Sequence, residues 1–534
     1  MRSRSDAFVR IILLALAAAT LAACLGAAAP ASAGPGADPF GSARALRALL
    51  VAQQAQLTAA DGAAEDHFGY AVAVSGDTVV VGAPDDDVGA NSGQGSVYVF
   101  VRSIVLGGVV WDYLAHLTAD DGASADWFGA SIAISGDTIV VGALGDDVGA
   151  TVDQGSAYVF KRSGMTWTQR AKLTAADGAY GDRFGEAVAV SGDTIVVGAH
   201  GDDVGDNVNQ GSAYIFTGSG ATWREAAQLT ATGGASGDAF GISVAIWRDT
   251  VVVGAPGDDV GGDAQQGSAR VFVRSAAGWT QQAQLTAADG AAGDLFGQAV
   301  AIRGGTVVVG APYDGVGDNA EQGSASVFVR SGAGWTQQAQ LTAADGARND
   351  HFGRSAAISR DTVVVGAPDH NVDVANSDQG SAYVFMRGGA RWTQQASLTA
   401  ADGAAYEYFG GAAAISGPMV VIGAWGDRVG FNAYQGSAAV FRIPRPARPT
   451  ARTPKGRISS RRPIFRWRTV AEAATYEVRI YKGSRLLKRQ AGIAKTAWKC
   501  TKRLPRKTWL TWKVRARNVA GYGAYSAKLR FKVR

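Results

Sequence analysis

The chain has 534 residues, of which 47% are apolar, 18% charged and 71 are glycine, enough for several cores and too apolar for collagen or wholesale disorder. Its two cysteines, Cys24 and Cys500, exclude a disulfide scaffold and a cysteine-rich zinc site. The net charge of +5 conceals two bodies of opposite sign: residues 443–534 hold 27 Lys and Arg against Glu472 and Glu477, while the remainder holds 24 basic and 44 acidic side chains.

At the start, Arg2, Arg4 and Arg10 precede an apolar run from Ile11 to Leu21. A basic head and a short apolar segment describe a secretory signal over residues 1–24, too short for a stable spanning helix. The ending Leu21-Ala22-Ala23-Cys24 resembles the bacterial lipobox, which implies a lipidated Cys24 and a membrane reached through the lipid alone. Ala31-Ser32-Ala33 offers a competing site for ordinary cleavage and plain secretion. Residues 25–50, rich in Ala, Gly and Pro, read as a flexible tether.

From Val51 one unit recurs seven times. Leu-Thr opens it at Leu57, Leu117, Leu173, Leu229, Leu285, Leu341 and Leu398, and Phe-Gly follows at Phe68, Phe128, Phe184, Phe240, Phe296, Phe352 and Phe409. A Val/Ile-rich segment then ends in Gly-Ala, and Gln-Gly-Ser closes the unit, from Gln94 to Gln435. Within residues 296–341, period-two alternation predicts four strands: FGQAVAIR, TVVVGAP, GSASVFVR and WTQQAQLT. A lone four-stranded sheet cannot bury both faces, so the units must pack on one another. Small residues in the first strand and Trp in the fourth make wedges that converge on an axis. The orphan strand 51–58 is placed to complete the last unit, which stops at its third strand. The expected fold is all-β, a seven-bladed β-propeller followed by a small antiparallel β-sandwich.

These signatures resemble the FG-GAP repeats of the integrin alpha-subunit head, over residues 51–442. The resemblance implies a seven-bladed propeller whose loop-bearing face meets partners. In that family several hairpins between the first two strands carry a calcium loop. Here the same connection is the tight Ser75-Gly76-Asp77-Thr78 turn, which argues against calcium at the family's usual place. Asp77, Asp137, Asp193, Asp249 and Asp361 are expected to bond their own turn backbone.

In a meander the connections alternate between the two ends of the strands, and 34 of the 43 acids between Leu25 and Arg442 fall in loops of one face. Asp61, Asp66, Asp121, Asp126, Asp289 and Asp294 precede the Phe-Gly pairs, and they form the expected ligand face. Asp85, Asp86, Asp146, Asp147, Asp202, Asp203, Asp258 and Asp259 follow the second strands, and they are the candidate metal ligands. Crowded carboxylates attract a cation or a basic ligand, and calcium is the one cofactor they suggest. The competing view makes the acids turn residues, with Asp before Phe-Gly tying down backbone N–H groups. Arg102, Arg162, Arg274, Arg330 and Arg442 end third strands on the opposite rim.

Catalytic patterns are missing: the chain has no G-x-S-x-G elbow, no H-E-x-x-H and no phosphate-cradling loop. The five histidines occupy unlike repeat positions, His200 and His370 lying in acidic-face loops. Trp127, Trp247 and Trp425 also break the pattern and are expected to fill gaps between blades or to stack on sugar.

Beyond Arg442, residues 443–462 read as a proline-punctuated linker with room for an edge strand, and residues 463–534 alternate again as short strands. Trp467 together with Trp512, Asn518, Gly521 and Gly523 resembles the fibronectin type III pattern. Such a basic domain suits an anionic envelope surface, and no nucleic acid is expected as partner of an exported chain. The sequence therefore describes a noncatalytic, exported binding or adhesion protein at the cell surface, with a protein or polysaccharide ligand on its acidic face. An envelope spacer without a ligand and a polysaccharide-acting enzyme are the alternatives.

Overall fold

Runs such as Thr306-Val-Val-Val-Gly-Ala311, β-branched over their first four residues and without a charge, become strands buried on both faces. The computed structural model describes residues 51–105, 108–332, 334–372, 377–470 and 473–534, and among these every regular element is a strand. The expected signal, the lipidation site Cys24 and the tether lie outside the described residues.

Seven four-stranded antiparallel sheets follow one another. In the fifth, Ala299–Arg303, Thr306–Ala311, Ser324–Ser331 and Gly334–Leu341 lie side by side in chain order. Innermost strands of successive blades pack on one another, and Val72–Ser75 of the first blade meets Ala412–Ser416 of the seventh. The orphan strand Ala52–Leu57 pairs antiparallel with Ser437–Arg442, so the first and last parts of the repeat array share one sheet.

The three repeat signatures meet between blades. Phe296 is fully buried, and its N–H donates to the Gln266 carbonyl of the preceding blade. A methyl group on Gly254 would overlap the carbonyl oxygen of Gly297, and one on Gly290 would overlap the Gln266 side chain. Phe-Gly, Gly-Ala and Gln-Gly-Ser are thus parts of a single joint. That joint also shifts the innermost strand, which starts at Ala299 rather than at Phe296, because the Phe296 N–H is taken by the neighbouring blade while the Gly297 N–H donates to Gly310 of its own. Only Phe128–Ser135 begins at its Phe.

The hairpin aspartates behave differently from expectation. Asp77, Asp137, Asp249 and Asp361 bind the guanidinium groups of Arg102, Arg162, Arg274 and Arg387 at 2.6–3.0 Å. A third-strand arginine stands directly beside the hairpin, and ionic pairing there displaces the turn's own N–H groups.

The terminal domain has two sheets. Ala451–Thr453, Ile464–Trp467 and Ala497–Lys499 form one, and the other runs Gly456–Ile458, Leu529–Val533, Trp509–Asn518, Thr475–Lys482, Arg485–Ile493. Phe465, Trp467, Tyr476, Trp512 and Phe531 fill the core between them. The pairing of Gly456–Ile458 with Leu529–Val533 is parallel, so the sandwich is not wholly antiparallel, and the stretch read as linker supplies an edge strand to each sheet. Asn518 donates to the Pro444 carbonyl, and Val519 packs with Ile443 and Phe441 of the last blade.

Candidate functional site

The acidic loops sort into layers. The carboxylate before each Phe-Gly turns inward: Asp66, Asp126 and Asp294 are 2–4% exposed, and each accepts the N–H of the residue three positions earlier, Ala63, Ala123 and Ala291. Asp182, Asp238, Asp350 and Glu407 do the same. Burial raises the pKa of Asp66, Asp126 and Asp182 to about 6 and of Glu407 to about 7, against the opposing pull of the backbone N–H. Of the six residues expected on the ligand face, Asp61, Asp121 and Asp289 reach solvent, and Asp66, Asp126 and Asp294 are enclosed by their own loops. Asp121 holds Lys172 at 2.7 Å.

The loops after the second strands show the same division. Asp86 receives Ser96 and Tyr98, Asp146 receives Tyr158 and Lys172, Asp202 receives Tyr214 and Gln228, and Asp258 receives Ser268, Arg270 and Gln284. Burial opposes the charge on Asp86, but hydrogen bonds from His116, Ser96 and Tyr98 outweigh it and hold the carboxyl below the ordinary range. Asp147, Asp203 and Asp259 are exposed, each accepting the N–H six residues on, from Asp153, Asn209 and Gln265. Asp85 accepts from His67 Nδ1 at 2.7 Å when that nitrogen carries the proton. Calcium needs six to eight converging oxygens. Asp85, Asp86 and Asp87 share a cavity with Asp61 and Asp66, but Asp85 is taken by His67, the buried member of each pair by Ser, Tyr, Gln, Lys or Arg donors, and the exposed member by a backbone N–H, so they do not converge as a calcium cage requires. No group of three or more metal-binding side chains occurs among the described residues.

Near the axis on this face lies a cavity of about 330 Å³ whose wall includes Tyr70, Asp85, Trp127, Arg183 and Glu186. Tyr70 and Glu186 directly follow their Phe-Gly pairs, and Trp127 and Arg183 directly precede theirs. His200 stands 3.7 Å from Glu186; burial and then the Arg183 charge lower its pKa to about 4, while burial raises Glu186. The imidazole is therefore neutral near pH 7. No serine, threonine or cysteine is hydrogen-bonded to any of the five histidines among the described residues. His370, the other histidine noted in these loops, takes the place of a carboxylate and pairs with Asp350 at 2.9 Å. Trp425 stacks on Tyr408 at 4.3 Å, and Trp247 lies at the opposite mouth of the axial bore.

Sequence reasoning missed Tyr70, Arg183 and Glu186. Their signal was available: the residue beside each Phe-Gly pair differs from blade to blade, within an otherwise uniform repeat.

A family model described as FG-GAP repeat matches residues 51–100, 111–160, 167–216, 223–272, 279–328, 335–385 and 392–441. No curated protein matches the chain. Among solved structures, Sqt1 of Chaetomium thermophilum is similar at 15% identity and a TM-score of 0.39, covering 70% of this chain and 81% of that one. The periplasmic gluconolactonase PpgL of Pseudomonas aeruginosa is similar at 13% identity and a TM-score of 0.39, covering 62% and 86%. Likeness of this extent carries no argument about activity.

Proposed function

The chain belongs to the FG-GAP repeat family, and from that premise we propose that it is an exported, noncatalytic binding protein, held at the cell surface through lipid on Cys24. Its propeller offers the exposed acids of one loop face to a basic group on a protein or polysaccharide ligand. Its terminal domain, whose two sheets support a fibronectin type III-like reading, lies against an anionic envelope surface. The observation that carries this is the separation of charge: Asp61, Asp87, Asp147, Asp203, Asp259 and Asp289 are exposed in loops of one face, and the terminal domain holds 27 basic residues. Opposed fields of this kind orient a molecule between two surfaces.

The test uses the chain carrying Cys24→Ser, which cannot take the lipid, with phosphatidylglycerol vesicles and a labelled polylysine. The protein should sediment with the anionic vesicles and not with phosphatidylcholine, and the bound protein should capture polylysine. Replacing Asp87, Asp147, Asp203 and Asp259 by Asn should abolish capture and leave sedimentation unchanged. Capture that survives these four changes would overturn the acidic-face reading; failure to sediment at physiological salt would overturn the role of the terminal domain.

A further inference from the structure

The hairpin end of the axial bore is built differently from the acidic end. Innermost strands finish on Ser75, Ser135, Ser191, Ser359 and Ser416 in five blades, but on Trp247 and Arg303 in the other two. Glycine follows in five blades, as at Gly76 and Gly304, with φ near +60°; Arg248 and Arg360 take that place in the other two with φ of 55° and 58°. A side chain in this left-handed region is unfavourable, and such outliers gather where a function holds them.

The arginines converge. Arg303 lies 3.8 Å from the centre of the Trp247 ring and Arg248 lies 5.6 Å from it. Partial burial, and then the like charges of Arg360 and Arg248, hold Arg303 below its ordinary pKa. No carboxylate is within ion-pair distance of these three arginines among the described residues: Asp249 and Asp361 of the same hairpins are engaged by Arg274 and Arg387, and Gly305 replaces the aspartate in the fifth blade. Around them, Ser75, Ser191, Ser359 and Ser416 each accept a turn N–H from the next blade, which leaves the hydroxyl hydrogen free to donate. Arg303, Arg360, Trp247 and the serines line a cavity of about 400 Å³.

We propose that this mouth is a binding site for a small oxyanion, a phosphate or a carboxylate, held by Arg303 and Arg360 with the serine hydroxyls as further donors. It lies at the end of the bore away from the acidic loops and is independent of the ligand assigned to them. Guanidinium groups bind such anions through charge-assisted, paired hydrogen bonds, and the like-charge repulsion among the arginines is relieved when an anion enters.

The test is calorimetric titration of the full chain with inorganic phosphate and, separately, with glucuronate. The variant carries Arg303→Ser and Arg360→Gly, residues that equivalent blades already use, and it keeps the basic terminal domain as an internal control. One or both probes should bind, phosphate alone marking a free oxyanion and glucuronate alone an acidic sugar. The double variant should bind about a hundredfold more weakly, roughly tenfold for each guanidinium lost, and should melt at the same temperature or higher, since Arg360→Gly releases a left-handed side chain. Binding of neither probe by the native chain, or equal binding by the variant, overturns the proposal.

Discussion

The propeller and the terminal domain handle charge in opposite ways. In the propeller, inward carboxylates such as Asp66 and Asp126 are committed one per loop to a backbone N–H, and each acts within its own blade. Among its described residues the terminal domain concentrates its charge chemistry on one acid: Glu477, fully buried, is held by Arg479, Arg489 and Arg515 at 2.6–3.0 Å and by the Tyr525 hydroxyl. Burial opposes its charge, but Tyr525 and the three arginines outweigh that and keep the carboxyl below its usual range. A repeated fold spreads the risk of a buried charge over many sites, and a single-copy fold gathers it at one.

Three experiments put this contrast at risk. The largest effect is expected from Glu477→Ala, which leaves three neighbouring arginines without their shared anion. We expect a loss of about 3 kcal/mol in urea unfolding of the full chain, toward the lower end for a broken buried ion pair because the arginines are partly solvated. A loss below about 1 kcal/mol would show that the charge is not concentrated there. Next comes Gly254→Ala, at the joint between two blades, where the added methyl meets the Gly297 carbonyl. About 2 kcal/mol should be lost through overpacking, whereas Gly76→Ala, where the space is open, loses only the smaller amount owed to its positive φ. Equal losses at the two sites would remove the close joint.

The smallest effect is in the pH dependence. Asp66, Asp126, Asp182 and Asp314 have folded pKa values of about 6 and Glu407 of about 7, above the unfolded values of 3.8 and 4.5. The folded chain therefore binds more protons across this window. Stability present below about pH 4 is lost as the pH rises through 6 to 7. His351 and His370, raised by their carboxylate partners against desolvation, act in the same direction, while His200, lowered to about 4, acts against it. Asp86 and Glu477, being lowered, titrate below the window. The melting temperature should be higher at pH 5 than at pH 7.5, and Asp126→Asn should narrow that gap. A melting temperature that rises toward pH 7.5 would contradict the burial of these carboxylates.

Much of the architecture was legible because repetition made it so. Seven Phe-Gly and seven Gln-Gly-Ser signatures at near-constant spacing define the blades, and the orphan strand indicates its partner. The start of the innermost strand was not legible, because the partner of the Phe296 N–H lies in another blade and no local pattern shows it. The pairing of Asp77 with Arg102 was hidden for the same reason, the two being 25 residues apart, one in a hairpin and the other on the third strand. At the site, counting acids found the face but could not tell Asp61 from Asp66. Five positions apart in one loop, they differ in whether the carboxylate finds a backbone N–H inside it. Arg303 and Arg360 were visible as letters, yet only the ring brings blades five and six to one opening.

The pairing of Ala52 with Arg442 has a mechanical consequence. The polypeptide joins the ring and leaves it at the same edge of the same sheet, on antiparallel neighbours. Tension applied between residue 52 and residue 442 would peel those two strands apart one rung at a time, like a zipper, instead of shearing all rungs together. The other six blades would bear none of that force, and the first part to yield under traction would be the seam.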